Sequence, residues 1–346
     1  MQYQGKRMTV PKVSIIIPVY NAESTIGRCL ESIRGQTFQD FEVFLIDDGS
    51  SDNSFSICKD FAKSDQRITV LHQSNSGPSS ARNHALNYAT GQYVYFADSD
   101  DHLEPDLLEN MLHCLADTHS SLAFLRYNLI DEDSGEEIPN TRKYNYPTAR
   151  NLSATETLRL LLPDNFPSFV WSFMAERRLF NDSPVIRFPQ NILREDQAIL
   201  YKLVDRADSI GFVQRKLYNY HIRGQSLLGS KSESTLMITS VIELVTERQC
   251  YLDEHRPKLR IQTGNANIAL LLYVLKTTEN IKSNRQAKAL RKKCISLVHK
   301  YMVNIGIRNV NHDNMFQYLI LKIGLFPFLF FIKKTIHIFF KRRISR

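Results

Sequence analysis

The chain has 346 residues, 43% of them hydrophobic and 23% charged, which is ordinary for a globular protein and excludes global disorder. Its length suits one large domain, alone or with a helical appendix. The five cysteines show no CxxC spacing, which argues against a disulfide framework or a zinc site and favours a reducing compartment. The N-terminal residues show no secretory signal pattern.

Positive charge is concentrated near the C-terminal end. The formal net charge is +8, and residues 282–346 contain fifteen Lys and Arg against one acid, Asp313. The rest of the chain is therefore net acidic. A basic end on an acidic body predicts contact with an anionic surface, either nucleic acid or the inner leaflet of a membrane.

Apolar runs alternate with helical patterns over residues 13–117. The runs predict strands at 13–20, 41–47, 68–73 and 93–98, and the patterns predict helices at 22–34, 55–63, 77–89 and 105–117. This alternation indicates βαβ units and a mostly parallel sheet. The carboxyl ends of such strands carry the ligand site, so we expect it in the loops that follow them.

After residue 120 the alternation is less regular. We predict strands at 121–128 and 210–220, a helix at 194–206, and a helix after the capping box of Ser153 and Glu156. From about residue 232 the pattern is helical almost to the end.

The C-terminal segment is apolar, aromatic and basic. Lys322, Pro327, Lys333 and Lys334 interrupt it, so no run reaches the roughly 18–20 apolar residues of a membrane-spanning helix. The pattern favours a helix in the membrane interface. The alternative is a helix packed on the protein or on a second subunit.

Two acids, Asp98 and Asp100, stand at the end of the strand at 93–98. In extended chain their side chains point to one side and can converge. Because neighbouring carboxylates are costly without a cation, a hard divalent ion that also binds phosphate oxygens is the expected partner. His221 is a further candidate ligand. The alternative is a solvated acidic turn before a helix.

The first two strands end in residues suited to a nucleotide base. The carboxylate of Asp48 can accept the imide N–H of a uracil ring, and Tyr20 can stack on the same base. The alternative for Asp48 is that it belongs to a turn that caps the following helix. The alternative for Tyr20 is that its ring only packs over the hydrophobic core.

Two helix starts carry further candidates. Arg82, near the start of the helix at 77–89, can face a diphosphate together with backbone N–H groups, unless it forms only an exposed salt bridge. Glu195 or Asp196 can act as the general base for an acceptor hydroxyl, unless the pair only stabilises the helix dipole.

The order and spacing of these motifs resemble glycosyltransferase family 2. The resemblance rests on VSIIIPVYN, LIDDGSSDNS, SGPSSARNHAL and GQYVYFADSDD, and more thinly on VWSFMAERRLF and RED, within residues 12–223. It implies a GT-A fold, which is a Rossmann-like α/β/α sandwich. It also implies inverting transfer of a sugar from a nucleotide-linked donor, usually a UDP-sugar.

The resemblance implies a role for each candidate residue of this sequence. It assigns nucleotide binding to Pro18, Tyr20, Asp48, Arg82 and Asp98, a Mn²⁺ or Mg²⁺ ion to Asp100 with Asp98, catalysis to Asp196, and acceptor or sugar binding to Glu195 and Trp171.

We expect three parts: a catalytic domain at 12–225, a helical extension at 226–312 and a membrane-associating tail at 313–346. The resemblance implies a glycan or polyprenyl-linked acceptor in bacterial surface-polysaccharide synthesis. We expect no nucleic-acid partner, because the basic residues alternate with long apolar and aromatic runs and form no recognisable recognition module. We expect a cytoplasmic enzyme, peripheral on the inner face of the cell membrane. The alternatives are a nucleic-acid-binding protein that uses the basic tail and an inactive GT-A scaffold.

Overall fold

A computed structural model describes residues 10–142, 144–222, 233–278 and 285–322. The chain forms two compact units that divide between residues 228 and 229. The first contains a β-sheet with helices, and the second is helical. The predicted domain limits at 225 and 226 lie outside the described residues, as does the predicted tail beyond residue 322, so both stay predictions.

The first half of the sheet unit alternates strands with helices, and every strand and helix predicted there is present. They are β1 (Val13–Val19), α1 (Ile26–Arg34), β2 (Phe41–Asp47), α2 (Ser54–Ser64), β3 (Ile68–His72), α3 (Pro78–Leu86), β4 (Tyr93–Phe96) and α4 (Leu107–Asp117). A two-residue strand that was not predicted, β5 (His102–Leu103), lies between β4 and α4. Strand β1 is buried along nearly its whole length, as expected for a strand covered on both faces.

The second half contains more short strands than the pattern predicts. Its elements are β6 (Leu122–Asp131), β7 (Glu137–Ile138), β8 (Asn151–Leu152), α5 (Ala154–Leu161), β9 (Phe173–Glu176), α6 (Arg178–Asn181), α7 (Glu195–Arg206) and β10 (Ile210–Ile222). The predicted capping box of Ser153 and Glu156 is confirmed. The sequence analysis missed β9, because four residues are too few to show a period.

The sheet has the strand order β3-β2-β1-β4-β9-β6-β10-β5. Strands β3, β2, β1 and β4 are parallel, as predicted, and so are β6 and β10. Strand β9 lies between β4 and β6 and is antiparallel to both, so the complete sheet is mixed.

The parallel register places the predicted site loops together. Val19 pairs with Asp47, and Ile16 pairs with Phe96. Strands β1, β2 and β4 therefore end at one edge of the sheet, and the loops that follow them leave from that edge.

The second unit consists of α8 (Glu233–His255), α9 (Arg260–Thr277), α10 (Arg285–Ile305) and α11 (His312–Lys322). Its apolar core includes Val245, Leu271 and Val298. Residues 313–322 of the predicted tail belong to α11, on which Tyr318 and Ile320 are buried. Among the described residues, none of the helices combines the length and apolar content needed to cross a bilayer.

Candidate functional site

Asp48 organises the loop that leads into α3. Its Oδ1 accepts hydrogen bonds from Gln73 Nε2 at 2.7 Å and from the Ser76 N–H at 2.9 Å, and its Oδ2 accepts one from the Gly77 N–H at 2.8 Å. Asp48 is only 3% exposed. The carboxylate therefore holds the loop that opens α3, and its predicted contact with a base stays a prediction.

Tyr20 is solvent-exposed at the end of β1. It is 51% exposed, whereas Pro18 in the strand before it is half-buried. The next residue, Asn21, ties this loop to the loop after β2, because its Oδ1 accepts the Ser51 N–H at 2.8 Å. The structure thus presents an exposed ring at the edge where a base is predicted to stack.

Arg82 joins two parts of the site that are distant in sequence. Its NH2 donates to Asp98 Oδ1 and its NH1 to Glu195 Oε1, both at 2.9 Å, and Arg82 itself is only 4% exposed. Burial alone would lower the pKa of the guanidinium, but the two carboxylates raise it. The alternative of an exposed salt bridge is therefore excluded, because Arg82 is a buried bridge between the acids after β4 and the start of α7.

The segment after β4 holds Asp100 at the surface. The Asp98 N–H donates to the Tyr218 hydroxyl at 3.1 Å, and NH2 of Arg28 donates to the Asp100 carbonyl at 2.5 Å. Asp98 is half-buried and Asp100 is exposed. The backbone of the segment is thus fixed at both acids, and the Asp100 side chain lies on its open side.

Asp101 anchors this segment through its buried side chain, a role that the sequence analysis missed. Its Oδ2 accepts the Tyr218 hydroxyl at 2.7 Å and its Oδ1 accepts the His221 N–H at 2.8 Å. Burial, followed by the charges of Asp100 and Asp98, raises the pKa of Asp101 well above its usual value. The only signal in the sequence was a third acid in ADSDD, and nothing local marks it as the buried one.

Both ring nitrogens of His221 lie next to other side chains. Nε2 is 2.8 Å from Nδ1 of His102, and Nδ1 is 2.6 Å from Glu132 Oε2. Burial and then Arg28 lower the pKa of His221, against the effect of Glu132. As a metal ligand His221 would have to exchange one of these contacts, and that role stays a prediction.

Asp196, the predicted general base, has a carboxyl group with a raised pKa. It stands in the first turn of α7, immediately after Arg194 and Glu195; Arg194 has a left-handed backbone with φ of 67°. Burial, followed by the charge of Glu195, raises the pKa of Asp196 to about 7, against the effects of the Gln197 N–H, Arg194 and Arg82. A carboxylate with a pKa near neutrality is suited to accept a proton.

Trp171 is not placed to contact a sugar through its ring faces, contrary to the prediction. It is only 2% exposed, and Tyr218 and Phe169 stack on it with centroid distances of 4.4 and 4.7 Å. The resemblance located a tryptophan along the chain, but the packing of β10 beside residues 169–171 covers its ring.

Two relatives and a family model identify the chain. The model of Glycosyl transferase family 2 matches residues 14–183. EpsH of Bacillus subtilis, which is named as a glycosyltransferase, is 29% identical over 93% of this chain and 89% of its own length. An uncharacterized glycosyltransferase of Haemophilus influenzae is 30% identical over 68% of this chain and 86% of its own. The chain belongs to glycosyltransferase family 2.

Solved structures show the same fold. Staphylococcus aureus TarS 1–349 in complex with UDP-GlcNAc matches with a TM-score of 0.55 at 21% identity, over 85% of this chain and 92% of that TarS fragment. The mannosyltransferase PcManGT from Pyrobaculum calidifontis, in complex with GDP-Man and Mn²⁺, matches with a TM-score of 0.50 at 16% identity, over 87% and 88%. The predicted GT-A fold is thereby confirmed.

The divalent metal ion expected from the sequence has two candidate carboxylate ligands, Asp98 and Asp100. In the described part of the chain, no group of three or more His, Cys, Asp or Glu side chains is arranged to hold an ion. Asp98 and Asp100 nevertheless fit a divalent ion that keeps open positions, since such ions take a few carboxylates and complete their shell with phosphate oxygens and water. Asp100 is exposed at the surface, and Asp98 is half-buried.

Proposed function

We propose that this glycosyltransferase is an inverting enzyme that moves a hexosyl or N-acetylhexosaminyl group from a UDP-sugar to a hydroxyl. The acceptor is a glycan or lipid-linked glycan of a bacterial surface polysaccharide. The observation that carries the proposal is the buried Arg82 bridge, because it brings Asp98 beside the helix start that holds Asp196. The UDP-GlcNAc bound to the structurally similar TarS supports the choice of donor.

The donor side consists of residues at the strand ends. Tyr20 stacks on the base, with Pro18 and Asp48 beside it, and Asp98 and Asp100 would hold a Mn²⁺ or Mg²⁺ ion. When bound, that ion supplies positive charge that stabilises the diphosphate as it leaves.

The acceptor side is centred on Asp196. Its carboxylate takes the proton of the acceptor hydroxyl while the oxygen forms a bond to the anomeric carbon. The bond from that carbon to the diphosphate breaks in the same displacement, so the configuration inverts. Glu195 helps to keep Asp196 basic, since its negative charge raises the pKa of the neighbouring carboxyl.

Two isosteric variants test the separate roles proposed for Asp196 in catalysis and for Asp100 in metal binding. Asp196→Asn should bind UDP with Mn²⁺ as wild type does and lose turnover, whereas Asp100→Asn should bind UDP more weakly in the presence of the metal. Isothermal titration with UDP and a UDP-release assay over a panel of UDP-sugars measure both. A fully active Asp196→Asn enzyme would remove Asp196 as the base, and unchanged metal-dependent UDP binding in Asp100→Asn would remove the metal role.

A further inference from the structure

Four aromatic rings form a row in the sheet unit. Trp171 is stacked between Phe169 and Tyr218, with interplanar angles of 9° and 4°. Tyr220 tilts against Phe169 at 6.0 Å and against Trp171 at 5.4 Å. Trp171 and Tyr218 are buried, whereas Phe169 and Tyr220 are partly exposed. The open end of the row is therefore made by Phe169 and Tyr220.

Tyr220 lies close to the acids after β4. Two residues earlier in the same strand, the Tyr218 hydroxyl bonds both the Asp98 N–H and the Asp101 carboxylate. Tyr218 and Tyr220 point to the same face of β10, because side chains alternate along a strand. The pKa of Tyr220 is raised to about 12 by burial and then by the charges of Asp101 and Asp98, which agrees with this placement.

The residue before Phe169 contacts the first turn of α7. Gln197 Nε2 donates to the hydroxyl of Ser168, the residue before Phe169, at 3.3 Å. The Gln197 N–H donates to Asp196 Oδ1 at 2.6 Å. The chain next to Phe169 thus adjoins the helix turn that holds Asp196, and Tyr218, at the buried end of the row, contacts the Asp98–Asp101 segment.

We propose that Phe169 and Tyr220 form an acceptor platform, against which the apolar face of the acceptor's sugar ring packs. The proposal rests on the proposed function, since it places that ring between the donor phosphates and Asp196. A pyranose ring has a face rich in C–H groups that suits an aromatic surface, and aromatic walls beside a few polar groups are typical of small-molecule sites. We assign the sugar on this platform to the acceptor, and not to the donor, because the proposed base Asp196 must reach the acceptor hydroxyl.

The platform is tested with full-length protein loaded with UDP and Mn²⁺. A panel of methyl pyranosides is the probe, and saturation-transfer NMR measures contact of the ring protons with the protein. At least one sugar should receive saturation from wild type. Phe169→Leu, which keeps apolar volume and removes the aromatic face, should reduce that signal at least about fivefold. Tyr220→Phe, which keeps the ring, should retain it.

Tyr88→Leu is the matched control, because Tyr88 is an exposed aromatic residue at the end of α3, 48% exposed, and lies outside the row. It should behave as wild type. Trp171 is the only tryptophan of the chain, so its fluorescence spectrum reports whether the buried part of the row is intact in each variant. An unchanged saturation signal with Phe169→Leu overturns the platform. The platform is also overturned if no sugar of the panel receives saturation from the wild-type protein.

UDP binding on the same samples separates the two proposals. If Phe169→Leu binds UDP with Mn²⁺ as wild type does but loses the sugar signal, the platform is supported. If wild type binds UDP and its sugar contact does not depend on Phe169, the platform alone fails. If wild type does not bind UDP, the proposed function fails, and the platform fails with it.

Discussion

At the scale of single residues, charge and burial around α7 set the chemistry. Asp196 sits beside one acid, Glu195, which raises its pKa, while Arg82 lowers it. Arg82 in turn is held by Glu195 and Asp98. The protonation of Asp196, the proposed base, therefore depends on Asp98 through a guanidinium, that of Arg82, which Asp98 and Glu195 share.

The pH dependence of turnover follows from this arrangement. A general base acts in its deprotonated form, so kcat/KM should rise with pH through about 7 and level off above it, because the pKa of Asp196 is raised to about 7. Glu195→Gln should move this midpoint to lower pH, since it removes a charge that raises the pKa. Rates measured from pH 5.5 to 9 check this, and a midpoint that Glu195→Gln moves upward or leaves in place would contradict it.

Removal of the Arg82 bridge should cost stability as well as function. Arg82→Met leaves two carboxylates without their cation in a largely buried place. The side chains of Asp98 and Glu195 are 31% and 21% exposed, so we expect a loss of about 2–4 kcal/mol in the free energy of unfolding, below the full cost of a buried charge. Urea denaturation followed by fluorescence measures it.

Arg178→Met is the control for this prediction. Arg178 also bridges two carboxylates, Glu176 and Asp208, but its side chain is 44% exposed. Its loss should cost less than about 1 kcal/mol. Equal losses in the two variants would show that burial of the Arg82 bridge does not matter.

At the scale of elements, close approach of the backbone at the start of β4 depends on Gly91. A Cβ on Gly91 would lie 2.6 Å from the Ser14 backbone nitrogen and 2.8 Å from the Val13 carbonyl carbon, both in β1. Gly91→Ala should therefore push β4 from β1 and destabilise the protein by about 1–3 kcal/mol. Because β4 leads into Asp98, metal-dependent UDP binding should weaken too.

Gly27→Ala provides the comparison for this change. Gly27 lies in α1, and a Cβ there meets nothing within 4 Å. Alanine is the better helix former, so this variant should be neutral or more stable by up to about 1 kcal/mol. A Gly91→Ala protein as stable as Gly27→Ala would show that the strands can separate without cost.

At the scale of the whole molecule, the basic C-terminal end is the feature that the catalytic unit does not explain. Deletion should begin at residue 323, because Tyr318 and Ile320 of α11 are buried and a longer deletion would open the helical unit. Removal of 323–346 should release the protein from anionic vesicles and leave UDP binding intact. Co-sedimentation with vesicles measures this.

A charge variant of the same region separates lipid binding by charge from binding by apolar contact. Gln at 333, 334 and 341–343 keeps the apolar residues and removes five of the basic ones. If anionic lipid is the partner, this variant should bind vesicles more weakly and lose the salt dependence of wild type. Equal sedimentation of wild type and the deletion variant would reject the membrane role, and tight, salt-sensitive binding to duplex DNA would favour the nucleic-acid alternative.

Much of the first half of the fold was readable from local patterns. Strands β1 to β4 and their helices follow from apolar periodicity and turn residues, and their parallel order follows from the alternation. The same rule located Tyr20, Asp48 and Asp98 at one edge. The short strands of the second half were not readable, since two to four residues show no period.

The sequence by itself determined the family, the βαβ arrangement and the loops that carry the acids, because these depend on spacing along the chain. Only the tertiary structure decided which side chains meet. Strand β9 enters between β4 and β6, and with this strand order Trp171 is covered by Tyr218 while Arg82 reaches Glu195. Such contacts join residues 47 to 113 positions apart, and no local pattern records them.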